Sequence, residues 1–145
     1  MAQQISVFYG SVYGNAQQVA EEAADTLTAL GYRVDLLDDP QVSDFQEAQE
    51  VLFISSTTGQ GDIPPNLEPF ILDLESRFPL LDGRKFAVVA LGDSSYGETY
   101  CGAGRRIYEL MEELMGTPRT QLLEVDAIET LEPTEEVLPW IKQYY

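Results

Sequence analysis

Short apolar runs alternate with amphipathic stretches from one end of the chain to the other. Residues 5–9, 32–37, 51–56, 86–91 and 122–127 are strand-sized, apolar enough to be buried on both faces, and bounded by turn residues. Between them, Val19, Ala23, Leu27 and Leu30 fall on one helical stripe, with Glu21, Glu22 and Asp25 off it. Leu67, Phe70, Ile71 and Leu74 repeat the i, i+3, i+4, i+7 spacing, as do Ile107, Leu110, Met111 and Leu114. A short helix is expected around residues 44–49, and a last helix at the end of the chain, started or kinked by Pro139. Gly31 ends the first helix. Alternating strands and helices predict an α/β fold, a parallel sheet with helices on both faces. No internal repeat or linker interrupts the pattern, so residues 1–145 read as one domain.

Composition narrows what such a fold can do. The 145 residues carry 8 Lys and Arg against 25 Asp and Glu, a formal charge of −17, and an apolar fraction of 44% that suits a packed core. That charge argues against binding nucleic-acid backbones or acidic membranes. It favours basic protein partners, steered in a salt-dependent way, and a monomer. Histidine is absent, which removes Ser-His-Asp and Cys-His catalysis and every imidazole metal ligand. The lone Cys101 forms neither an intrachain disulfide nor a four-cysteine metal site, which suits a reducing compartment. Met1-Ala2-Gln3-Gln4 has no basic side chain, and the apolar runs fall far below the roughly 20 residues of a membrane span. A soluble cytoplasmic protein is the expectation.

In a doubly wound sheet, ligands bind outside the carboxyl ends of the strands, where the strand order reverses. The loops after the first, third and fourth strands should therefore carry the chemistry. The first, Gly10-Ser11-Val12-Tyr13-Gly14-Asn15-Ala16, opens a helix whose first N–H groups have no intrahelical partner, and can surround a phosphate with backbone donors. It is neither a Walker A loop, since no Lys-Ser/Thr follows Gly14, nor a Gly-x-Gly-x-x-Gly fingerprint. No Lys or Arg occurs in residues 1–32, so neutral dipoles would hold one terminal phosphate. The second loop, Ser55-Ser56-Thr57-Thr58-Gly59-Gln60-Gly61-Asp62-Ile63-Pro64-Pro65, puts hydroxyls on a strand end, then a flexible bend before a rigid Pro-Pro. The third, Leu91-Gly92-Asp93-Ser94-Ser95-Tyr96-Gly97-Glu98-Thr99-Tyr100-Cys101-Gly102-Ala103-Gly104, sets tyrosines in a polar loop, a platform for a planar ring. Cys101 has no base to activate it, and its spacing to Arg106 is one residue short of a Cys-x5-Arg phosphatase loop. Each loop alone also reads as a plain connection. Together they describe a mononucleotide with a flat, uncharged head group, for which FMN is the best match.

With those motifs in view, the chain resembles a short-chain flavodoxin of the MioC/YqcA-type flavodoxin family. The resemblance rests on the strand-loop-helix at 5–30, the Ser-Thr-Thr-Gly loop within 55–62, and Leu-Gly-Asp-Ser-Ser-Tyr at 91–96. It implies a flavodoxin-like three-layer sandwich, a five-stranded parallel sheet in order 2-1-3-4-5 with helices on both faces. It also implies that Ser11, Val12, Tyr13, Gly14, Asn15 and Ala16 hold the FMN phosphate. Thr57, Thr58, Gly59, Gln60, Gly61 and Asp62 would flank the inner side of the isoalloxazine, with Tyr96 stacked on its outer face. Asp93, Tyr100 and Cys101 would lie along the ring edge and ribityl chain, with Leu91 and Gly92 completing the site. Tyr13 and Ala16 replace threonines usual in the family's phosphate loop, and Thr58 replaces a common second aromatic. No extended insertion interrupts the strand at 122–127, which marks the short form.

The family's activity, by the same resemblance, is one-electron transfer from a flavodoxin reductase to an acceptor enzyme, with no substrate turnover and no metal. Such a carrier must stabilise half-reduced flavin, and the Gly59–Gln60 peptide is expected to flip so that a carbonyl meets the proton gained at N5. Gly59→Val would raise the cost of that turn by about 1–2 kcal/mol or more, read as less half-reduced flavin in photoreduction. Asp62, Asp93 and Glu98 are the acids expected near the ring. One carboxylate ~10 Å away disfavours added negative charge by about 1–2 kcal/mol at an effective dielectric of about 20, and the same acids would guide a basic partner. One rival is a small flavin-dependent NAD(P)H reductase, which NAD(P)H oxidation by the isolated protein would reveal. Against it stands the lack of a second dinucleotide fingerprint. Another is a flavin-free phosphate-binding or interaction module of the same fold, marked by a preparation that takes up no FMN. A receiver domain is excluded, because Ser6-Val7-Phe8-Tyr9 has no acid and residues 86–141 have no Lys.

Overall fold

The computed structural model describes residues 3–12, 14–57, 61–92, 100–127, 129 and 132–145. Its elements run β1 (Gln4–Gly10), α1 (Asn15–Ala29), β2 (Arg33–Leu37), α2 (Val42–Glu47), β3 (Glu50–Ser56), α3 (Glu68–Arg77), β4 (Lys85–Gly92), α4 (Gly102–Glu113), β5 (Thr117–Pro118), β6 (Leu123–Asp126) and α5 (Thr134–Tyr144). Every strand pair is parallel, in the order β2-β1-β3-β4 with β5 and β6 both beside β4. The expected strand order is present, with its last position filled in two pieces. β5 pairs with Lys85 and Phe86, and β6 with the stretch from Val89 to Gly92. Thr117 and Arg119 donate to the Arg84 and Phe86 carbonyls on either side of Pro118, whose nitrogen faces away from β4. Regular pairing then lapses and resumes at Leu123, a break far shorter than an inserted subdomain.

Alternation along β1 explains the layers. Ile5, Val7 and Tyr9 pack with Ala16, Val19, Ala20, Ala23 and Leu27 of α1 and with Val137, Trp140 and Ile141 of α5. Phe8, on the opposite face, packs with α3 and α4 and stacks on Phe53 and Phe70 at 5.1 and 5.2 Å. Burial of both sheet faces is why these strands read as unbroken apolar runs.

Several local expectations are corrected. Leu30 is 45% exposed and caps α1 instead of joining its buried stripe. Beyond it, Tyr32 N–H bonds to the Leu27 carbonyl and Gly31 N–H to that of Thr28, the paired bonds of a glycine-terminated helix. α2 lies two residues earlier than expected, because Gln41 and Asp44 form a reciprocal capping box at its start. Pro139 sits inside α5, which begins after Pro133. A buried ion pair was not foreseen: Glu50, fully buried, accepts from the Arg119 guanidinium at 2.6 and 2.8 Å and from Gln3 Nε2 at 2.9 Å. Among the described residues, no helix is long and apolar enough to cross a membrane.

Candidate functional site

The sheet register brings the three loops together. Gly10 lies opposite Ser55, Ser56 opposite Leu91, and Gly92 opposite Asp126, so their loops leave from adjacent carboxyl ends. The second and third loops then touch. A Cβ on Gly102 would lie 2.9 Å from the Gly61 Cα and 3.0 Å from its carbonyl oxygen, so the start of α4 rests on the bend of the second loop. The first loop is pressed onto the same segment: a Cβ on Gly10 would meet Leu67 and Pro64 at 3.1 and 3.2 Å.

In the first loop, Ser11 Oγ accepts the Gly14 N–H at 3.0 Å, and Gly14 is the N-cap of α1 with no side-chain cap. The first intrahelical bond runs from Gln18 N–H to the Gly14 carbonyl, so the N–H groups of Asn15, Ala16 and Gln17 lack intrahelical partners. The Ala16 methyl is fully buried beneath α1; the backbone donor is what this residue offers a ligand. Val12 is 45% exposed beside them.

In the second loop, Ser55 is buried and its hydroxyl donates to the Ser56 carbonyl at 2.8 Å. Thr57 Oγ1 is buried without a hydrogen-bond partner. A buried hydroxyl left unpaired is costly, so this atom marks the place of a missing polar neighbour. Gly61 closes the bend and Asp62 is exposed. Asn66, which the sequence pattern did not single out, ties the loops together. Its Oδ1 accepts the Ser11 N–H at 2.9 Å, and its Nδ2 donates to the Tyr9 and Asp38 carbonyls at 3.0 and 2.9 Å.

In the third loop, Leu91 is buried at the end of β4. A Cβ on Gly92 would stand 2.8 Å from Cys101 Sγ and 3.2 Å from Tyr100 Cδ1, so both side chains close over Gly92. Cys101 is the N-cap of α4, fully buried, with its thiol toward the Ala90 carbonyl at 3.5 Å. Burial pushes its pKa up to about 11, partly countered by the Tyr100 hydroxyl, so the thiol stays protonated near neutrality, as expected for a group without a base. Burial, then Cys101 and the carboxylates of Asp126 and Glu124, raise the Tyr100 hydroxyl as well. Arg105 and the buried Asp126 also belong to this wall and were missed, since single charged residues in a helix or at a strand end carry no motif.

Tyr13, Thr58, Gly59, Gln60, Asp93, Tyr96 and Glu98 lie outside the described residues. Those described, Ser11, Val12, Gly14, Asn15, Ala16, Thr57, Gly61, Asp62, Leu91, Gly92, Tyr100 and Cys101, are gathered at one end of the sheet. Charge follows the same axis. Arg33, Lys85 and Arg84 stand at strand starts or just before them, Arg77 and Lys142 in the last turns of α3 and α5, and Arg119 beside Phe86. Only Arg105 and Arg106 lie toward the loops, each ion-paired at 2.6 Å, to Glu124 and Glu75.

The residues fit FMN. An uncapped helix start offers neutral N–H donors to a phosphate, and the orphaned Thr57 hydroxyl and the Tyr100 wall suit the polyol and ring beyond it. Among the described residues, no cluster of His, Cys, Asp and Glu could hold a metal ion.

The chain is similar to known proteins along nearly its whole length. Residues 7–140 match the family model for flavodoxin. Flavodoxin YqcA of Escherichia coli (strain K12) is 37% identical, with 97% of this chain and 95% of its own covered. The solved structure of a C101S mutant of flavodoxin from Pseudomonas aeruginosa superposes with a TM-score of 0.92 at 33% identity, covering 98% of this chain and 96% of that one. The sulfite reductase [NADPH] flavoprotein alpha-component of Bacillus subtilis (strain 168) is 34% identical over 98% of this chain, which spans 23% of that longer protein.

Proposed function

The chain belongs to the flavodoxin family, and we propose that it works as an FMN-bound one-electron carrier, taking electrons from a basic-surfaced reductase and delivering them to an acceptor enzyme. The observation that carries this reading is the meeting, at one end of the sheet, of an uncapped helix start with a buried, unpartnered Thr57 hydroxyl.

Each loop has a task in it. The N–H groups of Asn15, Ala16 and Gln17, with the Ser11 and neighbouring loop donors, would hold the phosphate, and by the family resemblance Tyr13 would belong to the same cup. Thr57 donates to the cofactor's polyol or ring edge. By the family resemblance, Thr58, Gly59, Gln60, Gly61 and Asp62 would form the inner wall, Tyr96 would stack on the outer face, and Leu91, Gly92, Asp93, Tyr100 and Cys101 would line the edge. FMN, when bound, supplies the redox chemistry. The protein orients it, limits water, and sets the local charge.

The charge axis supports a basic partner. Cations collect at the end remote from the loops, and the two nearer them are held by carboxylates, so the loop end presents the acidic face. Long-range attraction of this kind speeds encounter and weakens with salt. The likeness to part of a sulfite reductase component supports a reductase-type neighbour in the same electron chain.

We read the protein as a carrier without turnover of its own. Histidine is absent and the only thiol is protonated and buried. Incubating the isolated, FMN-loaded protein with NADPH and with NADH tests this: no oxidation is expected until a reductase is added. Steady oxidation by the protein alone would establish the reductase reading instead.

A further inference from the structure

We propose that Arg105 is a positioning residue for the rim of the cofactor site, fixing the Tyr100 ring there and setting a positive charge beside it that raises the reduction potential. The inference rests on the FMN reading above.

The guanidinium of Arg105 lies over the Tyr100 ring, 5.6 Å from its centroid, and Nε donates to Glu124 Oε2 at 2.6 Å. Tyr100 thereby has Gly92 against one edge and a cation over its face. Glu124 holds the cation from β6, and its carboxylate also bears on Tyr100 and Cys101, so Arg105 offsets a negative charge that would otherwise act alone on the rim.

Stability alone does not account for the arrangement. The Arg105 and Glu124 side chains are 44% and 31% exposed, and a pair this open to solvent contributes little to stability. Arg105 also stands near the start of α4, where the helix dipole disfavours a cation and no acid occupies the first turn. A residue placed against the dipole, in a chain with 8 cations among 145 residues, is better explained by what it touches. It touches the aromatic ring at the rim.

Two effects follow and they separate by substitution. A planar guanidinium stacks on a tyrosine better than an ammonium does, whereas both carry the charge. A fixed positive charge near the ring favours added electrons. Arg105→Gln removes both effects, and Arg105→Lys keeps only the charge.

The test compares the parent with Arg105→Gln and Arg105→Lys in three readouts. These are the FMN dissociation constant, the reduction potential at low and high salt, and the alkylation rate of Cys101 in FMN-free protein. Arg105→Gln should weaken FMN about two- to fivefold, lower the potential most at low salt, and speed alkylation. Arg105→Lys should share the weaker binding and faster alkylation while holding the parent's potential. If the parent binds FMN and Arg105→Gln matches it in all three readouts, the inference is overturned and the flavin reading stands. If the parent takes up no FMN while Arg105→Gln still unmasks Cys101, the flavin reading falls and the Tyr100 clamp survives it.

Discussion

The Thr57 hydroxyl is buried and unpartnered without a ligand. Thr57→Val removes that unpaired group while keeping the shape. The FMN-free protein should therefore be as stable as the parent or more so, while FMN affinity falls by about 1 kcal/mol, or roughly fivefold. Opposite signs in a thermal melt and a fluorescence titration are the expected pair. A second residue-scale prediction concerns Cys101, whose pKa is pushed by burial from 9.0 up to about 11. The thiolate is the reactive form, and two pKa units reduce it about a hundredfold, so alkylation by iodoacetamide at pH 8 should be slower than a free thiol by at least that factor. Because the folded-state pKa is raised, this group's contribution to stability is full below pH 9 and is lost as pH rises toward 11. Unfolding measured across that window should show the decline, and Cys101→Ser should flatten it.

At the scale of elements, contacts between loops position the site. Gly102 lets α4 rest on Gly61, since a Cβ there would stand 2.9 Å from the Gly61 Cα. Gly102→Ala should destabilise the fold by about 1–3 kcal/mol through that collision and weaken FMN by separating the walls. Asn66→Ala removes the bonds to Ser11, Tyr9 and Asp38; a loss of about 1–3 kcal/mol is expected in denaturant unfolding, together with weaker FMN binding. These elements also show what can be read from a sequence. The strands and the layers were legible because doubly buried strands leave apolar runs and helices leave stripes, whereas the strand order came from the family resemblance. The loops were legible because their glycines, hydroxyls and tyrosines are unusual for connections. Asn66 was not, since one amide after Pro64-Pro65 looks like any turn residue until its three partners converge on it. Nor was the first piece of the last strand, since Thr117 and Pro118 are two exposed residues without an apolar run. The placement of α2 escaped too, because the Gln41 and Asp44 capping box fixes a helix start that six weakly patterned residues cannot announce.

On the scale of the whole molecule, the structure divides into an end that holds the cofactor and an end that holds the chain together. Glu50 and Arg119 belong to the second: the carboxylate is fully buried, the guanidinium lies 4.3 Å from the Tyr145 ring centroid, and Arg119 also donates to the Tyr144 carbonyl at 2.8 Å. Arg119→Leu would strand a buried carboxylate and should lower stability by about 3–5 kcal/mol while leaving the FMN potential of the folded protein unchanged. If the first end meets a basic partner, as proposed, its acidic character predicts that reductase-dependent electron transfer slows as ionic strength rises. The decisive experiment is an absorbance spectrum of the purified protein, reconstituted with FMN and reduced stepwise without oxygen. An FMN-bound one-electron carrier should hold one FMN per chain and be reduced in two separate one-electron stages. Failure to take up FMN, or reduction of bound FMN in a single two-electron stage, would contradict that reading.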